Sequence, residues 1–270
     1  MAKRRRRRQH PTHQATSVSE FVGVIDNLLP NSDDLLFRGQ SQDWPLLPKI
    51  ARITLRSGMD LLETERSLLE EFKLQAPSLV DLVPETDWEW LSLAQHYGMA
   101  TRLLDWTTNP LAALWFTVLK PPADGTPGVV WVFDPGEDDR VKQSSATSPF
   151  TGERTRVFQP KHIAKRIIAQ SGWFTVHKYL RTRRAFVPLE RQSRYQSALT
   201  KIMVPPGAFA PIRYGLAQCG VNAASLLTDL TGICAHLEWR HSLLADETDE
   251  DKVNSVLQRS PLKQRRSASR

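Results

Sequence analysis

Apolar residues recur at three- and four-residue intervals through Phe21, Val24, Ile25, Leu28 and Leu29, which predicts an amphipathic helix. Ser17 with Glu20 fits a capping box at its start, and Pro30-Asn31 stops it. Asp34 to Arg38 reads as a short strand, with Gly39 permitting a turn, followed by an extended loop from Trp44 to Pro48. The clearest helical period runs from Met59 to Gln75, through Leu61, Leu62, Thr64/Glu65, Leu68, Leu69 and Phe72. A second helix is predicted from Trp88 to Tyr97, ended by Gly98. A third opens at Asn109-Pro110 and runs through Leu114, Trp115 and Val118, with proline in its first turn.

Beyond that point strands dominate. Gly128 to Phe133 is a continuous apolar run and predicts a buried strand, followed by a charged loop from Pro135 to about Arg154. Thr155–Gln159, Trp173–His177 and Lys201–Val204 are further expected strands, with a short Ile-rich helix at 161–170. Helices near 209–219 and 222–240 close the pattern. Helices and strands that do not alternate argue an α+β fold, with a mixed or antiparallel central sheet and surrounding helices. The expected organisation is a tail at 1–16, one folded domain at 17–245 and a charged tail at 246–270.

Composition changes this picture mainly through where the charge lies. The net charge is +7, but Lys3 and Arg4 to Arg8 contribute six of it, and residues 9–245 carry 24 basic and 24 acidic side chains. The basicity therefore belongs to the ends, and residues 1–16 are expected to be disordered because they bury no apolar surface. The Arg run is either a contact for nucleic acid or a solvated tail. No apolar stretch approaches the roughly 20 residues of a membrane helix. Cys219 and Cys234 lack CxxC spacing and are expected to be buried, inert thiols, which suits a cytoplasmic setting.

Candidate chemistry sits in two places. Arg38, Gly39 and Gln40 put a guanidinium fork at a strand end beside a glycine, an arrangement that suits a phosphate or carboxylate. The alternative is an Arg that pins the turn through a core carboxylate. Gln95, His96, Arg102, Asp105, Thr107 and Asn109 fall within about fifteen residues, at what reads as a helix end and a turn. His96 suits a base or hydrogen-bond donor, and Asp105 an orienting carboxylate. The competing reading is an Arg102–Asp105 brace, with Asp105 or Thr108 capping the next helix. Arg166 and Gln170 lie on one face of the 161–170 helix, ahead of Gly172. His162 and His177 have no metal-like spacing, and no Walker loop, GxSxG elbow or HExxH is present.

Leu36 to Gln40 with Trp44 to Pro48 resembles the motif for which the FRG domain is named. Leu93 to Gly98, Thr101 to Thr107 and Asn109 to Phe116 resemble the family's longest signature. Arg166 to Gln170 with Gly172 and Phe174 resembles a third block, and Leu216 to Gly232 a C-terminal helical block. In that last block the family's Phe-Pro-Asp-Leu reads Leu227-Thr-Asp-Leu230, which removes a turn-setting proline. The order of these elements is loosely similar to that of ADP-ribosyltransferases. That likeness implies NAD as a substrate rather than a resident cofactor, with Arg38 on its phosphate or ribose and His96, Arg102 and Asp105 about the nicotinamide. Gln170 would stand where such enzymes often hold a catalytic Glu, and glutamine cannot ionise. Two readings stay open: an NAD-using effector or toxin in bacterial or phage conflict, and a non-catalytic module that binds a ligand or nucleic acid.

Overall fold

The run from Gly128 to Phe133 is apolar at every position because both faces of its strand are covered. In the computed structural model, which describes residues 10–29, 34–141, 148–160 and 172–249, this strand is β4 and lies inside a seven-stranded sheet. Across the sheet the order is β1 (Thr12–Gln14), β9 (Leu199–Val204), β4 (Gly128–Phe133), β2 (Leu36–Gln40), β3 (Leu103–Thr107), β6 (Gly172–Val176) and β5 (Arg156–Phe158). Every pairing is antiparallel except that of β1 with β9, so the sheet is mixed. A separate hairpin pairs β7 (Tyr179–Leu180) with β8 (Ala185–Phe186). The fold is α+β.

Side-chain alternation sends successive residues of β2 and β4 to opposite faces. On one face Phe37, Val130 and Val132 pack with α1 (Val18–Leu28), α4 (Pro110–Val118) and the helix Phe209–Gln218, here α5, through Phe21, Ile25, Leu114, Phe209 and Ile212. On the other, Leu36, Trp131 and Phe133 meet Leu46, Leu104, Trp106, Leu189 and Tyr195. A third cluster joins α2 (Leu61–Gln75) and α3 (Asp87–His96) to β3, β5 and β6 through Leu69, Leu91, Leu103, Phe158 and Phe174.

Several expectations are corrected. Residues 10–16, expected to be disordered, place β1 on the sheet edge, bury Ala15 and fix His10 against the Gln196 and Glu190 carbonyls. Backbone pairing supplies what side-chain hydrophobicity lacks there; residues 1–9 lie outside the described residues. Ser17 does cap α1, but the Glu20 carboxylate accepts from the Thr16 amide and hydroxyl instead of closing the box on Ser17. Gly39 is not a turn residue. It is inside β2, where a Cβ would come within 1.8 Å of the Ala113 carbonyl oxygen, so its role is to let α4 lie directly on the strand. Gly98, at φ +86°, does end α3 as expected.

The predicted helix over 222–240 is two, α6 (Ala223–Leu227) and α7 (Leu230–His241). Thr228 turns between them at φ +51° and the Asp229 carboxylate caps α7, so the turn forms without the family's proline. Cys219 and Cys234 are exposed, not buried. The helix expected over 161–170 lies outside the described residues. At the C-terminal end, the buried Arg213 guanidinium holds both Asp246 and Glu247.

Candidate functional site

β2 and β3 are sheet neighbours, yet they pair in register only at Phe37 and Thr107. An unbroken ladder would next set Arg38 against Trp106 and Gly39 against Asp105. The strands part instead, and the Arg38 guanidinium spans the gap, donating from Nη1 to the Asp105 carbonyl at 2.8 Å. Nη1 also lies 3.7 Å from the Asp105 carboxylate. A side chain thus stands where a backbone partner would be, and a cleft of about 370 Å³ opens beside it. Phe37, Arg38, Gly39, Gln95, His96, Asp105, Trp106, Thr107, Ala113 and Phe116 line this cleft.

The polar groups are unevenly satisfied. Asp105 Oδ2 accepts from Gln95 Nε2 at 3.1 Å, and Gln95 Oε1 accepts from the Thr101 hydroxyl at 2.7 Å, so α3 and β3 are tied together at the rim. Arg38 Nε–H is buried and has no hydrogen-bond partner among the described residues. Burial pushes the Arg38 guanidinium below its ordinary range; the Asp105 carboxylate opposes this and the Arg52 charge adds to it. The group remains a cation at any working pH, with donor capacity to spare. His96 lines the cleft and meets the exposed Tyr97 ring edge-on at 5.0 Å. Trp106 is core, with Nε1 donating to Thr175 Oγ1, whereas Trp44 is exposed.

The structure brings Arg38, Gly39, His96, Asp105 and Thr107 to one place, and not the rest. Residues 101–107, expected to be a turn, carry strand β3, and alternation there turns Arg102 away from Asp105. Arg102 is buried and forked onto the buried Glu65, with Nε at 3.0 Å from Oε1 and a further bond from its backbone amide. Its Nη1 donates to the Pro149 carbonyl and its plane lies 4.5 Å from the Phe150 ring centroid. Arg102 is therefore a structural cation, and neither a ligand contact nor a brace for Asp105.

Asn109 caps α4, its Oδ1 accepting from Leu111 and Ala112, so the cap is neither Asp105 nor Thr108. Thr107 Oγ1 accepts from the Asn109 amide and steadies that start. Gln40 is buried but does not line the cleft. Arg166 and Gln170 lie outside the described residues.

Sequence reasoning passed over Gln95 as the link to Asp105 and Glu65 as the partner of Arg102. The signal for Glu65 was present: a carboxylate at a core-facing position of α2 requires a buried counter-charge. His177, set aside in the sequence for want of metal-like spacing, is buried with Nε2 3.1 Å from Thr175 Oγ1. The Thr175 hydroxyl oxygen accepts from the Trp106 indole and lies within hydrogen-bond distance of the His177 ring, so the three side chains form one buried polar chain. Burial, and after it the Arg38 charge, push His177 down to about 3.

Among the described residues no group of three His, Cys, Asp or Glu side chains comes together as a metal site, and no helix is long and apolar enough to cross a membrane. No curated protein and no solved structure matches the chain. Residues 33–125 match the family model for the FRG domain; the third and C-terminal blocks of the resemblance lie beyond that range. The matched segment runs from ahead of β2 to the turn before β4 and includes every residue that lines the cleft. The chain carries a match to the FRG domain over residues 33–125.

Proposed function

We propose that the cleft between β2 and β3 binds a phosphate-bearing nucleotide, with NAD as the concrete candidate. One observation carries this reading: a buried guanidinium at the wall of an open cleft keeps its Nε–H unpaired among the described residues. Leaving such a donor dry is costly, and an anionic oxygen is the partner that best restores the loss. Gln95 and Asp105, already coupled at the rim, are placed for ribose hydroxyls, and His96 adds a polar wall. Arg102 has no part in it.

Turnover of NAD is the second reading, favoured by the exposed Asp105 carboxylate, the one acid that lines the cleft among the described residues. A carboxylate there would stabilise positive charge developing on the ribose as nicotinamide departs. The effector setting in bacterial or phage conflict belongs to this second reading. Exposed, unpaired Cys219 and Cys234 favour a reducing compartment for either.

The two readings separate in one experiment. Purified protein is melted with and without NAD while nicotinamide release is followed. Binding alone raises Tm with no release, by about 2.7 kcal/mol of stabilisation at a hundredfold excess over Kd. Arg38→Ala should abolish the shift in either case. Asp105→Asn should keep most of the shift and stop any release. No Tm shift with NAD, ATP or ADP-ribose would sink the nucleotide assignment.

A further inference from the structure

The body of the chain is neutral as a whole, but its charge is strongly segregated. Over residues 151–200 there are 11 Lys/Arg and 2 Asp/Glu, and over residues 60–90 the balance is reversed, with 2 basic and 9 acidic. The acidic stretch is α2 and α3 with their connection. The basic stretch contains the outermost strand β5, its neighbour β6 and the β7–β8 hairpin.

At that edge a second cavity, of about 230 Å³, opens among Trp88, Pro149, Thr151, Arg154, Arg156 and Lys178. Arg156 sits on β5 opposite Val176, the last residue of β6, and Lys178 lies two residues beyond that strand end, so both cations flank one opening. Arg181 and Arg183 continue the series on the exposed turn between β7 and β8. None of these four side chains has an ion-pair partner among the described residues. Arg154 is engaged by Asp139, and Arg184 lies 3.6 Å from Asp60. Glu153 is the one acid at the cavity wall among the described residues. Burial keeps His177, also in that wall, neutral, so it neither adds to nor opposes the cationic field.

We propose that this edge is a docking surface for a single-stranded nucleic acid, with one phosphate seated between Arg156 and Lys178 and the next on Arg181 and Arg183. Four unpaired cations spread from a strand to a neighbouring hairpin fit a repeating anion better than a single small one. A concave opening with Trp88 in its wall admits a flexible strand that presents a phosphate inward, which the convex face of a duplex does not. The surface shares no lining residue with the Arg38 cleft.

The test uses the full chain with Arg4 to Arg8 changed to Ser, so that the tail does not supply the signal. Binding of a labelled oligo(dT) of about twelve nucleotides is followed by anisotropy across a salt series. Combined Arg156→Glu, Lys178→Glu, Arg181→Glu and Arg183→Glu should weaken binding at least about tenfold and reduce the salt slope by about three, since each lost contact to a single strand removes roughly 0.7. The four side chains lie at the surface, and an unchanged Tm confirms the fold; Gln at the same positions replaces Glu if reversal unfolds the protein. Unchanged affinity in the substituted chain overturns the proposal. So does equal competition by polyglutamate of the same length, which identifies an acidic-peptide surface, or tighter binding of a duplex. The Arg38 cleft is untouched by these substitutions, so the response to NAD reports on that reading independently.

Discussion

Arg102 shows how one residue's role turns on a single strand. Its guanidinium and the Glu65 carboxylate are both almost fully buried, and each satisfies the other with two hydrogen bonds or more. Such a pair adds little over well-packed apolar side chains, but removing one partner strands the other. Arg102→Ala should therefore lower stability by about 3–5 kcal/mol in chemical denaturation, whereas Arg102→Met with Glu65→Leu should recover most of that loss. If Arg102→Ala instead left stability intact and removed a nucleotide response, the residue would belong to the cleft after all. Asn109→Ala is a milder case. Losing the cap on α4 should cost about 1 kcal/mol, with little direct effect on ligand.

At the scale of elements, β2 and α4 are held together by what Gly39 lacks. A methyl there would meet the Ala113 carbonyl oxygen at 1.8 Å and the Thr117 hydroxyl at 2.6 Å, and helix backbone cannot swing aside as a side chain does. Gly39→Ala should cost at least the upper end of the about 1–3 kcal/mol typical of overpacking. Because Ala113 and Phe116 line the cleft, it should also weaken any NAD-induced rise in Tm. A Gly39→Ala protein with wild-type Tm would show that α4 does not sit on the strand as described.

The elements also show where the sequence was legible. The helical periods of α1 to α4 and the apolar run of β4 reported a single buried face or two buried faces, and each formed within a residue or two of its expected span. The segment Leu103–Thr107 was opaque because Asp105 and two threonine-rich neighbours look like a turn, while its strand character comes from pairing with β6. The same absence of local signal hid β1, which has no buried side chain of its own and is fixed by Lys201, Ile202 and Met203 across the ladder. Arg38, His96 and Asp105 were recognisable as residues that belong together, but the splitting of the sheet that makes a cleft of them is a property of two strands distant in sequence.

For the molecule as a whole, two of the buried ionisable groups, Glu247 and His177, make stability depend on pH in the same direction. At the C-terminal end, burial opposes ionisation of Glu247, but the Leu244 amide, the Trp239 indole and the Arg213 guanidinium outweigh it and hold the carboxyl below its usual range. That contribution is present above the unfolded pKa and is lost as pH falls through the folded one. His177 acts earlier. Unfolded, it takes a proton near 6.5; folded, it resists until about 3. Between these values the unfolded chain binds more protons than the native one, so stability rises with pH across the window and falls as the solution is acidified. By pH 5 the His177 contribution alone should have cost about 2 kcal/mol, or about 4–8 °C in Tm for a domain of this size. The decline should begin near pH 6.5, before carboxylates titrate. His177→Gln removes this titrating group while keeping a side chain able to bond Thr175, so its Tm should fall less than that of the wild type from pH 7 to 5.5; burial also lowers His236, which keeps a smaller slope in the same direction. A His177→Gln protein whose Tm falls in parallel with the wild type over that interval would mean that the imidazole is protonated in the native state, and that Arg38 is not the charge that faces it.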